Sequence, residues 1–211
     1  MTENSMIADN KRDVVFDEAF IWIVVLMLAA LLFEHLPSFV TPGIAEIVIA
    51  VTAVVVFLAT KGSARKFGFT FSMNALKWLG IFILIMGTFY GILIAIALLT
   101  GNAEGLAADY FELEYILTMI IFAPVAEEIL FRGFLFRALQ NHFHFMFALI
   151  MSAVLFAVMH MVWGNVGLHN INHFIGGIVF ALIYIKSRSL WASMILHSLG
   201  NTSLIILSVI L

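Results

Sequence analysis

Three short stretches bring together side chains able to do chemistry. In FAPVAEEILFRG, residues 122–133, Glu127 and Glu128 stand side by side, with Arg132 four residues beyond the second. Helical spacing puts Glu128 and Arg132 on one face, where they can pair, and turns Glu127 about 100° away. The pattern predicts one structural ion pair and one acid left over. Burial without a cation disfavours an ionised carboxyl, which suits such an acid to general-base work near neutral pH. The plainer alternative is a Glu–Arg pair at a helix end in the membrane interface. In SAVLFAVMH, residues 152–160, His160 closes an apolar run with Phe156 one turn before it. It could serve in catalysis or simply hydrogen-bond to a neighbouring helix. In MILHSLGN, residues 194–201, His197 and Asn201 are spaced i,i+4. Two donors on one face of a water-poor pocket can stabilise a developing oxyanion. Hydrogen bonding between helices, worth about 1 kcal/mol per contact, is the alternative.

The elements that must position these groups are apolar helices. Of 211 residues, 64% are hydrophobic and 11% charged, and there is no cysteine. Soluble domains carry roughly 25% charged residues, so a soluble globular protein, a disordered chain and a disulfide-stapled domain are all excluded. Ten Lys and Arg against thirteen Asp and Glu leave a net charge of −3, with no basic footprint for nucleic acid. Residues 1–18 read as a polar cytoplasmic N-terminal segment without the apolar core of a removable signal peptide, and residues 19–211 as a single transmembrane domain. Seven apolar stretches follow at about 19–33, 43–60, 76–100, 115–140, 145–163, 171–185 and 190–211, the sixth short for a full span. Barrel strands would alternate over about ten residues, and these runs do not, so the expected class is all-α: a polytopic transmembrane bundle of about seven spans. Every Lys and Arg falls in the first residues or in alternate connections, including Arg132, Arg137, Lys186 and Arg188, while 34–42, 101–114 and 164–170 hold none. The positive-inside rule then places the N-terminus in the cytoplasm.

Other groups carry weaker signals. His169 and His173, also i,i+4, could form a two-ligand metal face, but no third ligand stands near them in sequence. His142 and His144 fall in the connection after the fourth stretch, and Gly176-Gly177 reads as a close helix contact. No zinc-protease H-E-x-x-H, no G-x-S-x-G elbow and no P-loop occurs.

Taken together, EEILFR at 127–132, FAVMH at 156–160 and HSLGN at 197–201 resemble the E-E-x-x-x-R, F-x-x-x-H and H-x-x-x-N signatures of the CPBP intramembrane protease family. This family, with its ABI domain, includes type II CAAX prenyl endopeptidases and bacteriocin-processing or self-immunity proteins. The resemblance covers about residues 75–211. It implies an intramembrane endopeptidase, often filed with metalloproteases, acting on a peptide or membrane-protein substrate within the lipid bilayer; the apolar stretches make the protein multi-pass, and the compact chain points to a bacterial plasma membrane. The resemblance implies that Glu127 activates a water with help from His160, that His197 and Asn201 hold the oxyanion, and that Glu128 and Arg132 brace the site. The cofactor stays open. Glu127, His160 and His197 could supply three zinc ligands, or the same groups could work on water without metal; Asn201 beside His197 favours the metal-free form. A non-catalytic partner of the same fold, serving bacteriocin self-immunity or peptide export, is the alternative function. A transporter would want related halves, and no internal repeat is visible.

One expectation conflicts with convergence. Counting 1.5 Å per residue from the cytoplasmic face puts Glu127 roughly 9 Å deep, His197 roughly 10 Å and His160 roughly 22 Å. The groups would meet if the fifth segment started later than 145 or if the fourth helix broke near Pro124.

Overall fold

The computed structural model describes residues 68–100, 113–162 and 169–210. The polar N-terminal segment, the first two apolar stretches, and the connections at 34–42 and 164–168 lie outside the described residues. So do most of the 101–114 connection and the side chain of His169. Among the described residues every regular element is helical and no strand occurs.

Helix α1 spans Met73–Thr100. A continuous helical rod follows over 113–142, built from α2 (Leu113–Leu117), a π turn (Thr118–Phe122), α3 (Ala123–Glu128), a second π stretch (Ile129–Leu135) and α4 (Phe136–His142). Helices α5 (Phe145–Val162), α6 (His169–Ser187) and α7 (Leu190–Ile210) complete the bundle. Two of these, Met73–Thr100 and Leu190–Leu207, are long and apolar enough to cross a membrane, and Phe145–His160 and Ile171–Ser187 are shorter apolar helices.

Outward faces are apolar, as lipid would require: Leu84, Phe89, Ile92 and Leu99 on α1 and Ile150 and Val158 on α5 are exposed. The interior holds the polar groups. Glu128 and Arg132 are wholly enclosed, and Glu127, Ser193 and His197 are buried with them. Helices α5 and α6 come close at Gly177, where a Cβ would lie 2.9 Å from Ala153 Cα. Of the glycine pair read from the sequence, Gly177 makes the backbone-to-backbone approach, while a Cβ on Gly176 would meet only the Phe180 ring.

The lead-in to α1 is tied to the α6–α7 turn. Gly68, at φ +84°, packs under the Tyr184 ring and accepts the Leu190 N–H at 2.7 Å. Ser189 Oγ donates to the Thr70 carbonyl at 2.6 Å and Thr70 Oγ1 to the Arg188 carbonyl at 2.8 Å. Asn74 Nδ2 adds a bond to the Lys186 carbonyl at 3.0 Å.

The depth conflict resolves in neither of the expected ways. Helix α5 starts at Phe145, and the rod does not break at Pro124. Instead the rod runs on to His142, ten residues beyond Arg132. Glu127 stands fifteen residues before the end of one arm and His160 fifteen residues after the start of the other. In an antiparallel hairpin those positions lie at one level. The count of roughly 9 Å ended the arm about six residues beyond Glu127, whereas the helix continues to His142.

Candidate active site

The site forms where the rod meets α5, α6 and α7. Pro124 sets its local geometry. It has no N–H, so the carbonyls four and five residues earlier, Ile120 and Met119, lose a helical donor. The chain answers with the π turn just before it, in which the Ala123 N–H reaches back to the Thr118 carbonyl. Helix α7 supplies the missing donors: Asn201 Nδ2 donates to the Met119 carbonyl at 2.8 Å, and Ser198 Oγ donates to the Ile120 carbonyl. The residues that follow, Glu127 and Glu128, are flanked by π geometry on both sides, a frequent signature of functional helices.

Glu128 is saturated. Its Oε1 accepts from Arg132 Nη1 at 2.6 Å and from His197 Nδ1 at 3.0 Å, and its Oε2 accepts from Ser193 Oγ at 2.5 Å. The i,i+4 pair expected from spacing is thus formed. Arg132 also donates through Nη2 to the Gly177 carbonyl at 2.9 Å, and its guanidinium lies 4.7 Å from the Phe156 ring and 5.4 Å from the Phe180 ring. Cation–π contacts of this kind are strongest when desolvated, so aromatic faces replace the water this charge would otherwise need.

Glu127 is left unpaired by that cluster, as its 100° offset predicts. Its Oε2 is buried with no hydrogen-bond partner. It faces His160 Nε2 at 3.7 Å and His197 Nε2 at 3.8 Å. Both separations exceed a hydrogen bond and leave a gap between three reactive atoms. The far side of each imidazole is already committed. His160 Nδ1 lies 2.8 Å from the Phe156 carbonyl, which can only accept, so Nδ1 carries a proton. His197 Nδ1 faces Glu128, a carboxylate already held by Arg132, and must likewise donate. Both Nε2 atoms therefore turn toward Glu127 as acceptors while the rings are neutral. Phe156 separates the two rings, with centroid distances of 4.6 Å to His160 and 5.8 Å to His197.

The structure thus gathers Glu127, Glu128, Arg132, His160 and His197 into one cluster. Asn201 sits a turn beyond His197 with one N–H taken by the Met119 carbonyl. Two further residues touch the cluster, Ser193, which the sequence reading did not single out, and His173, which it weighed only as a metal face with His169. Ser193 stands one turn before His197, so the i,i+4 face used to link His197 with Asn201 extends backward to it. His173 stacks on His160 with centroids 4.1 Å apart. No spacing rule connects positions on helices thirteen residues apart in this way.

A carboxylate and two imidazole Nε2 atoms are zinc-type donors, and each histidine has the second-shell acceptor that metal ligands usually have. Their spacing is wider than a zinc site requires. Ligand distances near 2.1 Å imply tetrahedral edges of about 3.4 Å. Among the described residues no group of three His, Asp or Glu side chains is arranged to hold a metal ion.

Residues 110–203 match the family profile described as Rce1-like type II CAAX prenyl endopeptidase. Over 92 residues the chain is 30% identical to YdiL of Bacillus subtilis (strain 168), a protein named as a candidate membrane peptidase. That alignment takes in 44% of this chain and 36% of YdiL, so the chain matches about a third of the length of this curated relative. No solved structure matches. The matched region contains every residue of the cluster described above, so the likeness of this membrane protein to the CAAX proteases falls on the residues that carry its three motifs.

Proposed function

We propose that the protein is an intramembrane endopeptidase in which Glu127 activates water for attack on a peptide bond. The observation that carries this reading is the buried Oε2 of Glu127, without a hydrogen bond and opposite two Nε2 acceptors at 3.7 and 3.8 Å. A water in that gap can donate one proton to Glu127 and the other to His160 Nε2. Glu127 takes its proton as the water oxygen bonds to the scissile carbonyl carbon, and the carbonyl electron pair moves onto its oxygen. The second N–H of Asn201 stabilises that oxyanion, together with His197 once its Nε2 has taken a proton from solvent, which it gives back after product leaves. Collapse re-forms the carbonyl and breaks the C–N bond, and Glu127 returns its proton to the departing amine. Glu128 and Arg132 hold His197 in place throughout.

These steps are written for the side chains alone, with Glu127 Oε2 at 3.7 and 3.8 Å from the two imidazole nitrogens. A single zinc ion on Glu127, His160 and His197 would add Lewis-acid polarisation of the same water. The reading includes a multi-pass bundle of about seven spans in the bacterial plasma membrane with its N-terminus in the cytoplasm. The substrate is a peptide or membrane-protein segment reached within the bilayer.

The test uses the full chain, purified in detergent and offered one peptide in farnesylated and unprenylated forms. Cleavage is expected in the wild type and lost in Glu127→Gln, with helical content unchanged. Cleavage by that variant at the wild-type rate would overturn the mechanism. Preference between the two peptides tells whether the prenyl group is recognised.

A further inference from the structure

We propose that Ser193 is a positioning residue whose hydroxyl, acting through Glu128, fixes the proton of His197 on Nδ1. The inference rests on the proposed role of His197 but is read out on the ring itself. Ser193 lies on α7 one turn before His197 and is wholly buried. Its Oγ is 2.5 Å from Glu128 Oε2 and 2.9 Å from the Phe180 carbonyl. One hydroxyl has one proton. Of the two acceptors, the carboxylate is charged and makes the stronger bond. The Phe180 carbonyl has the helical donor four residues on. The proton therefore goes to Glu128.

That bond decides the direction in which the carboxylate points. Arg132 holds only Oε1, at 2.6 Å, and a carboxylate pinned at one oxygen can still turn about its terminal torsion. Ser193 pins the other oxygen, and with both ends held Oε1 is aimed at His197 Nδ1, 3.0 Å away. The ring cannot compensate by swinging. It is stacked on Phe180 at 4.3 Å and 19°, and Phe156 sits against it at 5.8 Å. His197 thus keeps a fixed plane and a fixed tautomer, and its Nε2 presents a lone pair to the gap in front of Glu127. His197 can donate to an oxyanion only after gaining a second proton. The order of events at this ring, acceptor first and donor afterward, is set from behind by a serine that never meets the substrate.

The experiment is nitrogen-15 NMR of the full chain with labelled histidine in detergent micelles at alkaline pH. In the wild type, His197 is expected to show a protonated Nδ1 and an unprotonated Nε2 as a single tautomer. Ser193→Ala is expected to give a mixture of tautomers and to lower kcat by roughly 10- to 100-fold, as loss of an outer-shell partner typically does, with KM little changed. Ser193→Thr, which restores the hydroxyl, is expected to recover the single tautomer. Ser152→Ala is the matched control: that serine is also wholly buried, its Oγ has no hydrogen-bond partner, and both readouts should stay at wild-type values. Two results overturn the proposal: a wild-type ring protonated on Nε2 alone, or a single Nδ1–H tautomer persisting in Ser193→Ala. If the alanine variant does not fold, Ser193→Cys, near serine in size but a far weaker donor, takes its place in the same measurement with the same expected mixture of tautomers. The tautomer readout also stands if the protein cleaves none of the peptides tried, so failure of the peptidase reading is distinguishable from failure of this one.

Discussion

Two neighbouring carboxylates in one helical rod have opposite surroundings. Glu128 spends its acceptor capacity on Arg132, His197 and Ser193, within 3.0 Å in each case, beneath a lid of aromatic rings. Glu127, one residue earlier, has a buried oxygen with no hydrogen bond and two imidazole nitrogens standing 3.7 and 3.8 Å away. The first region is built to be still and the second to be incomplete. In the proposed mechanism the first region holds His197 in place and the second receives the attacking water.

The comparison makes separable forecasts. Replacing Glu127 by Gln should act on rate and hardly on stability, lowering peptide cleavage by roughly 10²- to 10⁴-fold with an unchanged denaturation midpoint in micelles. Replacing Arg132 by Met should do the reverse of that in kind. It strands Glu128 as an uncompensated buried charge, and chemical denaturation should register a loss of about 3–5 kcal/mol. Adding Glu128→Leu to Arg132→Met should recover much of that stability while leaving activity low, because His197 then lacks its acceptor. If instead the double variant were as unstable as Arg132→Met alone, the Glu128–Arg132 pair would not be the reason for the loss. Gly177→Ala tests the floor beneath both regions. Its methyl would meet the Ala153 backbone at 2.9 Å and push α5 from α6, for an expected loss of about 1–3 kcal/mol. Smallest is Ser198→Ala, which frees the Ile120 carbonyl at the π turn and should lower stability by about 1 kcal/mol. A larger fall in cleavage rate than in stability for that variant would mean that the turn's register matters to Glu127 more than its energy does.

Much of this could be read from spacing. The Glu128–Arg132 pair and the leftover Glu127 follow from 3.6 residues per turn, and the helical stretches from continuous apolar runs. Level along the bundle was misread because the count ended about six residues beyond Glu127, while the rod runs on past Arg132, enclosed by Phe156, Phe180, Glu128 and a glycine carbonyl, to His142. The partner of Glu128 on α7 was out of reach for a different reason. Ser193 is one of several serines, and only a fold that brings residues 65 positions apart together distinguishes it. The stack of His173 on His160 is likewise tertiary. The π turns are invisible to any fixed period, since they are departures from it.

Those turns have a consequence for how such a chain can change over generations. A π turn is an α-helix with one residue too many. Loss of a single codon within Thr118–Phe122 would leave composition and hydropathy almost untouched and would relax the helix into regular form. Everything on one side of the deletion would rotate by about 100° relative to the other. The two carbonyls exposed by Pro124 would turn away from Asn201 and Ser198, and α7 would lose its grip on the rod. A one-residue deletion that no hydrophobicity profile would notice is therefore prohibited.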